Sequence, residues 1–145
     1  MKKRIKEKDF IYKGYRCLIS FSTAGFRCGY VAISKGHKLY GKDYDELMDI
    51  DCHGGLTYSA NYMDLHPYNS SQDLWWIGFD CNHYGDGHDF ATARKYFSDE
   101  ESLLEINRYE SFDDSFLHLH NLEAISLEEC IEECKNIVNQ IEEMG

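Results

Sequence analysis

Between Trp75 and Asp89 the chain changes character within one residue. Trp75-Trp76-Ile77-Gly78-Phe79 is apolar or glycine throughout, and Asp80-Cys81-Asn82-His83-Tyr84-Gly85-Asp86-Gly87-His88-Asp89 is dense in ionisable groups. That is the pattern of a buried strand running into a loop that presents chemistry. A similar edge, Asp51-Cys52-His53-Gly54-Gly55, stands just before Leu56-Thr57-Tyr58-Ser59-Ala60. Imidazole, thiolate and carboxylate are the ligands of zinc and other transition metals. His53, Cys81, His83, Asp86 and His88 therefore form a candidate metal site, with a divalent metal as its candidate cofactor. In an extended segment residues 81 and 83 point to one side, as do 86 and 88. One loop can then supply two or three ligands and His53 another. The spacing matches no regular metal motif.

The same residues admit other chemistry. Cys81 beside His53 or His83 would make a thiolate nucleophile, and His53 beside Asp80 or Asp86 an acid–base pair. His53, Asp80, Cys81, His83 and Asp86 are thus the catalytic candidates of a small hydrolase or transferase. Binding without catalysis is the alternative: Tyr40, Tyr58, Trp75, Trp76 and Tyr84 offer stacking faces, and Asp80, Asn82 and Asp86 offer directed hydrogen bonds. The plainest reading is structural, because aromatics fill cores and Gly-Asp-Gly and His-Gly-Gly make turns. His118 and His120 read as polar surface or half-buried residues. No glycine cluster has the spacing of a phosphate-binding loop.

These side chains need a scaffold. Tyr15–Phe21 and Phe26–Ile33 read as strands joined by a hairpin at Ser22-Thr23-Ala24-Gly25. Leu56–Tyr62 and Leu74–Cys81 read as two more, and Asp43–Met48 as a short helical turn. Ser126-Leu127-Glu128-Glu129 fits a capping box. Ile131, Cys134, Val138 and Ile141, with Ile137 beside them, then form one apolar stripe on a helix whose other face is acidic. Residues 90–123 read as an insertion over the sheet, with a helix start near Asp99 capped by Ser98 and an ambiguous stretch from Phe112 to His120. The expected architecture is α+β: one domain over 1–145, with a small, mainly antiparallel sheet and the C-terminal amphipathic helix packed on one face. If the strands that end the two polar edges are neighbours, His53 and His83 should lie within about 10 Å, the scale of a small-ligand pocket.

Size and charge narrow the classes. A chain of 145 residues, 43% hydrophobic and 14% aromatic, can bury a core. No run approaches the roughly 20 apolar residues of a membrane span. The basic segment 1–9 carries no apolar signal core and reads as a solvated terminus, so a cytoplasmic location is expected. The six cysteines include no Cys-x-x-Cys pair and read as reduced, with Cys130 and Cys134 unbridged on one helix face. The net charge of −11 is uneven. Residues 1–42 hold eleven Lys/Arg against two Asp/Glu, and residues 43–145 hold four against 24. The acidic part repels nucleic acid and favours a partner protein with a basic surface; a small-molecule ligand suits the aromatic residues.

The order Gly36-His37-x-x-Tyr40-Gly41-x-x-Tyr44, His53-Gly54-Gly55-Leu56-Thr57-Tyr58 and Trp76-Ile77-Gly78-Phe79-Asp80-Cys81-x-His83-x-Gly85-Asp86 resembles an uncharacterised family of small proteins of bacteriophages and other mobile elements. The resemblance covers roughly residues 29–89 and the final helix. It implies an accessory protein of phage or prophage origin, acting in the bacterial host cell. By analogy with small acidic proteins of that setting, it implies an inhibitor of a host defence system, anti-CRISPR-like or related.

Overall fold

The computed structural model describes residues 3–69, 73–83, 86–120 and 123–145, with only the backbone of 113–120. Among these residues five strands form one antiparallel sheet: β1 (Arg4–Tyr12), β2 (Tyr15–Ser22), β3 (Arg27–Ser34), β4 (Tyr58–Ala60) and β5 (Leu74–Asp80), in the spatial order β1-β2-β3-β5-β4. Among the described residues three α-helices follow: α1 (Phe90–Tyr96), α2 (Glu100–His120) and α3 (Leu127–Met144). The expected α+β architecture, with the C-terminal helix packed on the sheet, is the one observed.

Strand alternation splits the apolar residues between two faces. Cys17, Ile19, Val31, Ile33, Ile77 and Phe79 meet Cys130, Cys134, Ile137, Val138 and Ile141 of α3. Leu18, Tyr30, Ala32 and Trp76 face the other way and meet Met63, Leu65 and Tyr68 of the loop 61–69. A third cluster joins Phe21 to Phe90, Ala93 and Phe97, which α1 and its C-cap supply, and to Ile106 of α2. The capping box of α3 forms as its sequence predicts, with Glu129 N donating to Ser126 Oγ and Ser126 N to Glu129 Oε1. At 3.6 residues per turn, positions 130, 134, 137, 138 and 141 fall in one arc and 131 at its margin. Cys130 is accordingly buried and Ile131 only half-buried.

Several expectations are corrected. From Arg4 on, the basic segment belongs to an edge strand, and residues 1–2 of it lie outside the described residues. Its register runs from Arg4↔Ser22 to Tyr12↔Tyr15, with an irregularity between Lys6 and Lys8. Its charges are met across the sheet: Glu7 pairs with Arg27 (2.6 and 3.0 Å) and Asp9 with Arg16 (2.8 Å). The strand expected over Leu56–Tyr62 shrinks to Tyr58–Ala60, and the turn after Asp43 is a 3-10 turn, Tyr44–Glu46. Residues 90–123 hold α1, which no sequence signal announced, and α2, whose helical backbone continues through the ambiguous stretch after Phe112. Asp99, not Ser98, caps α2: its carboxylate accepts from Ser102 N (3.0 Å). Ser98 stands one residue before the N-cap position, from which the helix amides are capped. Asp89 caps α1 in the same manner.

Candidate functional site

β4 and β5 are neighbours, so the two polar edges meet. The rings of His53 and His83 are 5.9 Å apart at 64°. Two elements place His53, α3 and the segment after β5. Its backbone N–H donates to Glu133 Oε1 of α3 (2.8 Å). Two residues earlier the Asp51 carbonyl accepts from Asn136 Nδ2 (2.9 Å) and Gln140 Nε2 (2.7 Å). The loop 51–55 is thereby tied along α3, and His53 Nε2 lies 2.8 and 3.0 Å from the two oxygens of Asp86. The Asp86 side chain is 7% exposed and also accepts from His83 N (3.1 Å).

The other two imidazoles lie close to residues near them in sequence, His83 within ion-pair distance of the end of β5 without a hydrogen bond from its Nε2. His83 Nε2 is 3.2 Å from Asp80 Oδ1, and His88 Nε2 is 2.9 Å from Asn82 Oδ1. The His88 ring also lies near Phe26 and Phe90.

Cys81 is placed differently. Its N–H donates to the Arg27 carbonyl (2.9 Å), so the sheet pattern runs one residue past β5. Alternation turns its side chain into the core under α3, where its Sγ is 3.5 Å from Cys130 Sγ. That bond and burial push the Cys81 thiol far up. A buried, protonated thiol is neither a nucleophile nor a ready metal ligand. Of the five candidate ligands, the fold brings His53, His83 and Asp86 together, turns Cys81 inward and holds His88 against Asn82. Among the described residues, the one group of three ligand atoms within 4.8 Å of one another is Asp43, Asp45 and Glu46, all exposed. Glu46 there accepts from Asp43 N as part of the turn.

The binding candidates also separate. Trp76 is 1% exposed and packs edge-on to Tyr68. Tyr40 lies beside Trp75 on the α3 side, where Trp75 Nε1 donates to the Lys42 carbonyl (2.7 Å). Tyr84 lies outside the described residues, as do the side chains of His118 and His120. Tyr58 and Asn82, with Asp80 and His83, line an open groove of about 590 Å³ on the sheet face opposite α3.

The other wall of the groove comes from residues the motifs did not single out: Arg4, Tyr30, Tyr62 and Asp64. Tyr30 can lie there because its register partner is Gly78, where a Cβ would come within 2.6 Å of the Tyr30 ring. The Tyr58 ring meets Tyr30 edge-on at 5.3 Å, and Tyr58 Oη donates to the Tyr62 carbonyl (2.7 Å). Burial raises the Tyr58 phenol, and neighbouring Tyr62 and Asp64 raise it further. Opposite, Asp80 accepts from Thr57 Oγ1 (3.0 Å) and Asn82 N (3.1 Å). The sequence reading put Tyr62 at the end of a strand, Arg4 in the basic segment and Tyr30 in another strand, and no local spacing connects them with Asp64. The arrangement offers π faces, phenol oxygens and carboxylates to a ligand lying across the sheet.

Among the described residues no helix is long and apolar enough to cross a membrane. A scan against protein-family models gave no match, and searches of curated proteins and of solved structures gave none.

Proposed function

We propose that the protein is a binding protein that engages a partner with a basic surface through the groove beside Tyr58. One observation carries the reading: tyrosines and carboxylates converge on the part of the sheet that the loop 61–69 leaves open. Tyrosine faces attract cations by their quadrupole, and Asp64 and Asp80 supply negative charge. The net charge of −11 would speed encounter with a basic surface. In the phage setting that the motif resemblance implies, the partner would be a host protein and its capture would inhibit a defence system, as anti-CRISPR-like proteins do.

Titration with a short peptide of alternating lysine and glycine tests the groove. Binding should fall with salt, weaken in Tyr58→Ala and Asp80→Asn, and shield Cys28, which lines the groove, from alkylation. Equal binding by wild type and both variants, with Cys28 unshielded, would refute the reading.

The His53–Asp86 pair favours a second reading, a small hydrolase. A carboxylate that holds one imidazole nitrogen is the arrangement of a general base, and His53 keeps 27% of its side-chain exposure. Hydrolysis of an activated ester that is lost in both His53→Ala and Asp86→Asn, with the fold intact, would support it. Rates equal to buffer would eliminate it.

A further inference from the structure

Arg4 begins the edge strand β1, yet its guanidinium lies over β3. It passes β2, where Nη1 is 3.4 Å from Ser20 Oγ. Nη1 donates to Tyr30 Oη and Nη2 to a carboxylate oxygen of Asp64. The guanidinium carbon stands 5.6 Å from the centroid of the Tyr30 ring. Tyr30 is 5% exposed and fixed between Gly78 and Tyr58. An aromatic face, a phenol oxygen and a carboxylate therefore converge on one guanidinium within the open groove. The seat is not sealed, since the Asp64 side chain keeps 66% of its exposure.

β1 does not depend on this side chain for its place. Its backbone pairs with β2 along its length. Just before it, Lys3 N donates to Thr23 Oγ1 and the Lys3 carbonyl accepts from Thr23 N. Glu7 and Arg27 form its buried ion pair. The Arg4 side chain can leave the groove without releasing the strand.

We infer that this seat is the subsite for an arginine side chain of the partner, and that Arg4 is its resident occupant in the free protein, an internal ligand that the partner's arginine displaces. The inference rests on the groove being the partner-binding site. A guanidinium fits because its planar fork donates to Tyr30 and Asp64 at once while its charge stands within cation–π distance of the Tyr30 ring. An ammonium is a point charge and meets only part of that pattern. An occupied seat lowers apparent affinity by the fraction of time it is filled, so removing Arg4 should expose a tighter site.

The test compares Gly-Arg-Gly, Gly-Lys-Gly and Gly-citrulline-Gly amides on the full chain, by calorimetry and by shielding of Cys28. Arg4→Ala should bind the arginine peptide about tenfold more tightly than wild type, the lysine peptide less so and the citrulline peptide not at all. Adding Asp64→Asn should abolish the gain. If Arg4→Ala loses the fold, Arg4→Met, which keeps an aliphatic stem over Tyr30, carries the same comparison. Folded variants that bind the arginine peptide no better than wild type, or no better than citrulline, overturn the inference. If the lysine–glycine peptide still binds wild type in an Asp80-dependent way, the groove reading survives that failure. If no peptide binds any variant, both fall.

Discussion

A methyl group on Gly54 would stand 2.2 Å from His83 Nε2. The His83 ring lies against a bare Cα, and Gly54 itself adopts φ +69°, a left-handed conformation that glycine takes without strain. The glycine of one polar edge is therefore matched to the histidine of the other. Gly54→Ala should cost about 1–3 kcal/mol through strain and displacement of the ring. Urea unfolding gives the cost, and the imidazole NMR signals of His83 should shift with it. A variant with wild-type stability and unmoved His83 signals would contradict this seating.

Cysteine reactivity should follow burial. Cys17, Cys81, Cys130 and Cys134 are at most 1% exposed, and none of the six cysteines is in a disulfide. Burial, with Glu133 and Asp51 nearby, pushes the Cys52 thiol up to about 12. In native protein at pH 8, Cys28 should be alkylated by iodoacetamide first and the four core thiols only after unfolding. Peptide mass spectrometry reads the order. Early labelling of Cys81 would mean that its side chain does not lie under α3.

The capping box of α3 gives a pH signature. The Ser126 amide, then its hydroxyl, holds the Glu129 carboxyl below its ordinary value of 4.5. A carboxyl depressed in the folded state adds stability above its unfolded pKa and loses it as pH falls through the folded one. Glu129→Gln should therefore be less stable than wild type at neutral pH, with the gap closing below about pH 4.5. Ser126→Ala should cost about 1 kcal/mol at neutral pH. Denaturation midpoints across pH 3–7 check both, and a gap that widens in acid would be the wrong sign.

The two sides of α3 should respond oppositely to charge. Val138 and Ile141 have no exposure, so an aspartate at either site buries an unpaired charge and should cost about 3 kcal/mol or more. Glu132 and Glu142 are exposed, and Glu132→Lys or Glu142→Lys should cost about 0.5 kcal/mol or less. Thermal unfolding of the four variants distinguishes them. Tolerated aspartates with unfolded lysine variants would reverse the helix orientation.

The sequence by itself determined the elements whose signals are local. The capping box and apolar stripe of α3 and the hairpin of β2 and β3 follow from spacing within a few residues, because capping and alternation act over one turn or one strand. The sharp change at Asp80 marked the end of β5 for the same reason. Tertiary structure decided everything that depends on which strands are neighbours. Pairing of β4 with β5 brought His53 to His83, and the parity of one extra sheet residue sent Cys81 into the core rather than toward them. Residues 4–12 became a strand only because β2 offered an edge and Glu7 found Arg27 of β3 beyond it. The second groove wall joins Arg4, Tyr30 and Asp64, which are tens of residues apart in the chain. No local spacing encodes that meeting: their contacts are set by strand order and register, which arise when the whole sheet buries its two faces at once.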